Sequence, residues 1–169
     1  PGLSGLMAPG RFRVRQATPV DLPEIADVLV REWRQAHAAG EEHPVEHEPQ
    51  MSERIASWEQ DMLMGAYFWV VYDTGEDDAL VGFSRAGAAR DEDAPGPLEL
   101  WHLHVLEPAR DTGVADHLIT VTIGDAPAHL WVTETDEWGI EFYRRHGFEF
   151  DGGERPCDDG ARDLRMVRA

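Results

Sequence analysis

Between Arg11 and Arg168 the hydrophobic positions keep two rhythms, one of two residues and one near three and a half, broken by acidic or glycine-rich stretches. Arg11 to Gln16 (RFRVRQ) alternates apolar and polar, which predicts a half-buried strand. VDLPEI then reads as a helix start. Asp21 is the expected N-cap, Glu24 takes the capping-box position and Val20 staples onto Ile25. Leu22, Ile25, Leu29 and Trp33 continue as one helical stripe. The polar, proline-broken segment from His37 to Gln50 predicts a loop, and Ser52 to Met64 a second helix. Strands are expected at Tyr67–Tyr72, Ala79–Ala86 and Leu98–Leu106, with a helix over Gly113–Thr122. A strand at His129–Thr133 precedes a helix over Asp136–His146, which Gly147 stops, with Phe148 folding back onto Phe142 or Tyr143. Two last strands, Phe148–Asp151 and Asp163–Arg168, flank the polar turn GERPCDDGA.

The resulting order, β-α-α-β-β-β-α-β-α-β-β, ends in two β-α-β units. Such units call for a mixed sheet with helices on its faces. No internal repeat or linker interrupts it, so 169 residues are expected to form one domain over 11–169. Pro1 to Gly10, rich in Gly and Pro, is expected to be a disordered leader or a cloning scar before Met7.

Charge narrows the partners. The net charge is −18 and there is no lysine, so a phosphate backbone or an anionic membrane is repelled and nucleic acid is not expected. No apolar run is long enough to span a bilayer and no signal peptide opens the chain, which reads as cytoplasmic. Cys157, the single cysteine, rules out an intramolecular disulfide and a cysteine zinc cluster, and its polar turn offers no base to activate it. His43 and His47 sit among carboxylates in EEHPVEHE, but a solvated acidic loop explains them better, and no metal is assigned.

Two motifs then stand out. LELWHLHVLEPARDTGVADHLI gives a strand, a short loop and a helix, and LWVTETDEWGIEFYRRHGFEFDGG gives a strand, a helix with a Phe-Tyr pair and a Gly-Phe stop. Together, and in this order, they resemble the GNAT acetyltransferases over nearly the whole chain. The resemblance implies an α/β (α+β) fold, a mixed, mostly antiparallel sheet of six to seven strands flanked by about four helices. It also implies acetyl-CoA as co-substrate. The family's loop Arg/Gln-x-x-Gly-x-Gly/Ala is matched by Arg110, Gly113 and Ala115. Amides at a helix N-terminus bind anions, so the loop of Arg110, Asp111, Thr112, Gly113, Val114 and Ala115 is expected to wrap the pyrophosphate. By the same resemblance the strand before it splays from the one at Leu130, and backbone groups of Leu103 and Val105 pair with the pantetheine arm. Two departures bear on this site. Asp111 sets an anion beside the pyrophosphate, and Asp136 replaces the usual helix-leading Asn, keeping the cap but losing an amide donor.

For chemistry, the resemblance implies Tyr143 as the general acid that protonates the departing thiolate, with a core aromatic as the competing role. Glu99 is the expected base and acceptor contact. Strand alternation puts it on the face of Trp101, Leu103 and Val105, with His102 and His104 behind as alternative bases or plain polar residues. Trp33, Trp58 and the acidic stretch Glu41 to Glu48 are candidate acceptor elements. The function read is transfer of an acetyl or larger acyl group to an amine, small-molecule or protein and peptide. A homodimer is left open. The alternative is a domain of the same fold that binds CoA without catalysing transfer.

Overall fold

A computed structural model describes residues 10–38, 51–156 and 160–169 of the protein. His43, His47, the Glu41 to Glu48 stretch, Cys157 and most of the expected leader lie outside them. The described elements are β1 (Phe12–Gln16), α1 (Leu22–Ala38), α2 (Met51–Leu63), β2 (Tyr67–Asp73), β3 (Ala79–Ala88), β4 (Leu98–Val105), α3 (Val114–Ile123), β5 (Ala128–Thr133), α4 (Glu137–Arg145), β6 (Glu149–Pro156) and β7 (Arg162–Arg168). The seven strands form one sheet in the order β1-β2-β3-β4-β5-β7-β6, antiparallel except at β4–β5. This is the mixed sheet with four helices that the sequence predicts.

Each face of the sheet carries its own core. On one, α3 and α4 cover Leu100, Val105 and Leu130, with Leu118, Phe142 and Phe148 filling the layer. On the other, α1 and α2 cover Phe68, Val70 and Phe83 with Leu22, Ile25 and Trp58. Burial of these large side chains is what holds the helices down, each contributing on the order of 1.5–3 kcal/mol.

Local stops follow the sequence closely at the second motif. Asp136 caps α4 by accepting from Gly139 N at 2.9 Å. Gly147, at φ 90°, takes the left-handed turn that ends the helix. Phe148 folds back to set its ring 6.0 Å from that of Tyr143.

Elsewhere the structure corrects the expectations. Thr18 and Asp21 form the capping box of a short 3-10 turn (Pro19–Asp21), and α1 begins only after it. Asp21 is spent there, accepting from Thr18 N, Arg15 and the Tyr72 hydroxyl, so it is not the N-cap of α1. Val20 is exposed and staples nothing. GERP, expected as turn, is strand: Glu154, Arg155 and Pro156 pair with β7 beyond a bulge at Asp151–Gly153. Backbone pairing there overrides a sequence with no apolar rhythm.

One irregularity sets the site. On β3 and β4, Arg85 faces His102 and Ala86 faces Leu100, so Trp101 is an extra residue. The bulge reverses the side-chain parity along β4. Leu100, Leu103 and Val105 all belong to the α3–α4 core. Glu99, next to Leu100, therefore lies on the opposite face with His102 and His104, whose rings pack on Phe83 of the α1–α2 core. The expectation that Glu99 shares a face with Leu103 and Val105, and opposes the two histidines, is thus overturned.

Candidate active site

Among the described residues, β4 and β5 pair at Glu99↔His129 and Leu100↔Leu130 and at no later position. Beyond Leu100 the two strands separate, and β4 presents an unpaired edge. The bond from Leu106 N to Val81 O, 2.8 Å, fixes the phase of the β3–β4 ladder. In that phase Val105 and Leu103 oppose Gly82 and Ser84 at non-hydrogen-bonded sites, so their N–H and C=O groups point away from β3 and into the gap. The Val105 carbonyl there already accepts from Arg110 Nε at 3.0 Å.

The gap opens toward the start of α3. Gly113 sits at φ 89° as the residue before the helix, with nothing within 4 Å of where a Cβ would stand. The first-turn amides of α3 lack acceptors within the helix, as at any helix start. They face a groove of about 400 Å³ lined by Asp111, Gly113, Ala115, Trp138 and Arg145, among others. Thr112 braces the loop by donating to Ala109 O at 2.6 Å. Asp111 is exposed and itself left-handed at φ 63°. Asp116 and Glu141 add two more carboxylates to the groove; Asp116 is matched by His146 at 2.7 Å and Arg145 at 3.8 Å. Arg110 turns back from the groove, its guanidinium 4.7 Å from the centre of the Trp138 ring.

Tyr143 rises from α4 into the α3–α4 core and is 8% exposed. Burial, helped by the Asp136 charge, pushes its phenol up, so it holds its proton at any physiological pH. Its hydroxyl makes no hydrogen bond among the described residues. Glu99, on the other side of the sheet, accepts from Arg90 N at 2.9 Å. His129, wholly buried, brings Nε2 to 3.5 Å from Glu99 and 3.1 Å from Asp91.

A model of the acetyltransferase (GNAT) domain matches residues 64–150. The chain belongs to the GNAT acetyltransferase family. A probable N-acetyltransferase of Mycobacterium tuberculosis is 25% identical over 158 residues, covering 86% of this chain and 84% of that protein. Two solved structures share the fold. A Sinorhizobium meliloti phosphinothricin acetyltransferase in complex with acetyl-CoA is 20% identical, with TM-score 0.68 over 94% of this chain and 88% of its own. YncA of Salmonella typhimurium, a putative acetyltransferase solved with acetyl-CoA, is 17% identical, with TM-score 0.66 over 94% and 93%.

Set on this GNAT frame, the predicted residues divide by place. Asp111, Gly113 and Ala115 line the groove, Leu103 and Val105 border the gap with Arg110 bonded to the Val105 carbonyl, and Tyr143 packs in the α3–α4 core that walls the gap. Asp136 is engaged in its cap. Trp58 is a core residue under α2, and the side chain of Trp33 lies outside the described residues. His102 is desolvated and held down to about 3, with the nearby His104 charge as a second cause, so it is neutral through the physiological range. His104 is engaged with Glu32 of α1.

Sequence reading missed His129, Asp91 and Arg85. Asp91 lies in a stretch read only as acidic loop, yet it accepts from Trp131 Nε1 at 3.0 Å and lies 3.4 Å from Arg165. Asp91, Glu99 and His129 place their polar atoms within 4.8 Å of one another, a spacing a metal ion would accept. Because Trp131 and Arg165 already hold Asp91, a cation there would meet a guanidinium, while neither ring nitrogen of His129 has a hydrogen-bond partner among the described residues. The available signal was a histidine and an arginine in otherwise apolar strands, where only paired polar groups are tolerated.

Proposed function

We propose that the protein transfers an acetyl group from acetyl-CoA to an amine, with the thioester lying in the β4–β5 gap. The observation that carries this reading is the gap itself: an unpaired β4 edge leading to the first turn of α3 beside Gly113. Leu103 and Val105 would pair with the pantetheine amides, and the Thr112–Ala115 backbone would hold the pyrophosphate. Solved relatives that hold acetyl-CoA support the choice of donor.

In this reading Glu99 and Tyr143 work from opposite sides of the sheet and meet only where the strands part. Glu99 takes a proton from the amine nitrogen. That nitrogen bonds to the acetyl carbon, the carbon–sulfur bond breaks, and the sulfur takes the Tyr143 proton. Bringing the two reactants together supplies much of the acceleration. Arg90 N holds Glu99 in place, with His129 Nε2 3.5 Å away.

The three carboxylates in the groove favour a second reading, a domain that binds CoA weakly without turning it over. A thermal-shift titration with acetyl-CoA followed by thiol-release assays over an amine panel decides. No rise in Tm at millimolar acetyl-CoA removes the donor site; a rise with no thiol release from any amine favours the binding-only domain.

A further inference from the structure

The arginines of this chain are mostly well matched. Arg165 meets Asp91, Asp93 and Asp151, and Arg168 caps three carbonyls. Arg85 is different. It is 8% exposed, and among the described residues its closest carboxylate contact is to Asp61 at 3.5 Å, the outer limit of a hydrogen bond. Among the described residues its buried Nε has no partner. Trp58, Phe68 and Trp101 surround the guanidinium, whose charge lies 5.6–5.9 Å from the three ring centres. Desolvation holds it down to about 10, against the pull of Asp61.

A second cation shares the same weak partner. Arg90 reaches the same Asp61 oxygen at 3.2 Å and lies 3.7 Å from the centre of the Trp101 ring. Arg54 stands near enough to add a third charge that further lowers Arg85. Two guanidinium groups thus share one carboxylate, with Arg54 adding positive charge nearby, in a chain whose net charge is −18. Local charge, not the net value, governs what docks here, because salt screens anything beyond about 8–10 Å. A buried guanidinium short of partners is unfavourable until an anion completes it.

The cluster lies beside the proposed base. The backbone N–H of Arg90 bonds Glu99 while its side chain joins Arg85, so base and cations are one side chain apart. All of them stand on the α1–α2 face, to which the Trp101 bulge also turns Glu99.

We propose that Arg85 and Arg90 receive a carboxylate of the acceptor, and that the acceptor is a free amino acid whose amine is directed at Glu99. The assignment rests on the acetyl-transfer reading above and adds no bond change to it. A polyamine or other purely cationic amine, which the overall acidity would attract, is repelled at this point.

The test uses the full chain with acetyl-CoA and thiol release. The panel holds the free L-amino acids, their α-amides, the corresponding decarboxylated amines, spermidine and short peptides. At least one amino acid is expected to exceed its amide and its decarboxylated amine tenfold in kcat/KM. Arg85→Gln and the half-exposed Arg90→Gln should each raise KM for that amino acid about 10- to 100-fold, leaving KM for acetyl-CoA unchanged. Should Arg85→Gln fail to fold, Arg90→Gln carries the test alone. Equal or faster turnover of amides, decarboxylated amines, spermidine or peptides overturns the assignment and leaves acetyl transfer standing. If nothing is turned over, amino-acid binding is read directly: a Tm rise with an amino acid that Arg90→Gln abolishes supports the site, and its absence overturns it. No Tm response to acetyl-CoA overturns the transfer reading instead.

Discussion

Leu100 and Leu103 point to the same face of β4, although they are three residues apart. The extra residue between the two halves of the strand, Trp101, makes this so. It also delivers Glu99 to the face that carries His129 and Arg85. Glu99→Gln is therefore expected to lower kcat about 10²- to 10³-fold near neutral pH with acetyl-CoA affinity retained. Steady-state rates alongside a thermal-shift titration check this; an unchanged kcat removes Glu99 as the base.

Tyr143→Phe removes one hydroxyl and keeps the ring packing on Phe142 and Phe148. Stability should change by about 1 kcal/mol or less, since the hydroxyl makes no hydrogen bond among the described residues. Thiol release should fall about 10²-fold or more. Turnover equal to wild type would make Tyr143 a packing residue only.

Asp111 stands exposed at the groove, beside the first turn of α3. Replacing it with Asn leaves the backbone able to hold its left-handed turn and removes one anion. Acetyl-CoA should bind about two- to fivefold more tightly at low salt, with the advantage shrinking as salt is raised. Calorimetry at two ionic strengths is the measurement, and equal affinities at low salt would discount the charge.

His102 carries a pH signature. It faces Phe83, with His104 on its own strand, Arg85 across the ladder on β3 and Arg54 on α2 as the nearby positive charges. Its folded-state value, about 3, lies below the unfolded value of about 6.5. From pH 6.5 downward the unfolded chain binds a proton that the folded chain refuses, so stability falls across that window and levels off near pH 3. Between pH 7 and pH 5 the loss from this residue is about 1–2 kcal/mol. Urea unfolding of His102→Leu should show a correspondingly shallower decline; an identical slope would assign the acid sensitivity elsewhere.

Asp21 works in the same direction at lower pH. Arg15, the Thr18 amide and the Tyr72 hydroxyl hold its carboxylate far below the usual range. Its contribution is full above about pH 4, the unfolded value, and is lost as the pH falls further. Asp21→Asn should cost about 2–3 kcal/mol at neutral pH, because Arg15 and Tyr72 lose a shared acceptor. A cost under about 0.5 kcal/mol would mean that water replaces the carboxylate.

What was legible in the sequence is what local rules determine. Asp136, Gly147 and Phe148 act within one helix and its ends, and the structure shows each doing what its spacing predicts. Gly113 likewise marks the turn into α3. The failures share a cause. The face of Glu99 was read from strict alternation, and a single unpaired residue opposite β3 reversed it; no local signal in LELWHLHV announces a bulge. Asp91 and Asp93 look like solvated loop until Arg165, more than 70 residues away, is folded against them. Val20 belongs to a staple that fits the pattern, but the long-range pull of Arg15 and Tyr72 on Asp21 starts the helix later.

The two-residue seam between β4 and β5 has a mechanical side. The molecule is a pair of half-sheets, four strands and three, clasped at Glu99 and Leu100 and tied further by Asp91 and Asp93 to Trp131 and Arg165 and by the shared α3–α4 core. A slender arm with amides of its own, laid in the opening, would supply the missing rungs and turn a hinged clasp into one continuous sheet. Donor occupancy would then be felt as stiffness in β6 and β7, far from the reacting atoms. In such a frame the donor is part of the architecture for as long as it stays.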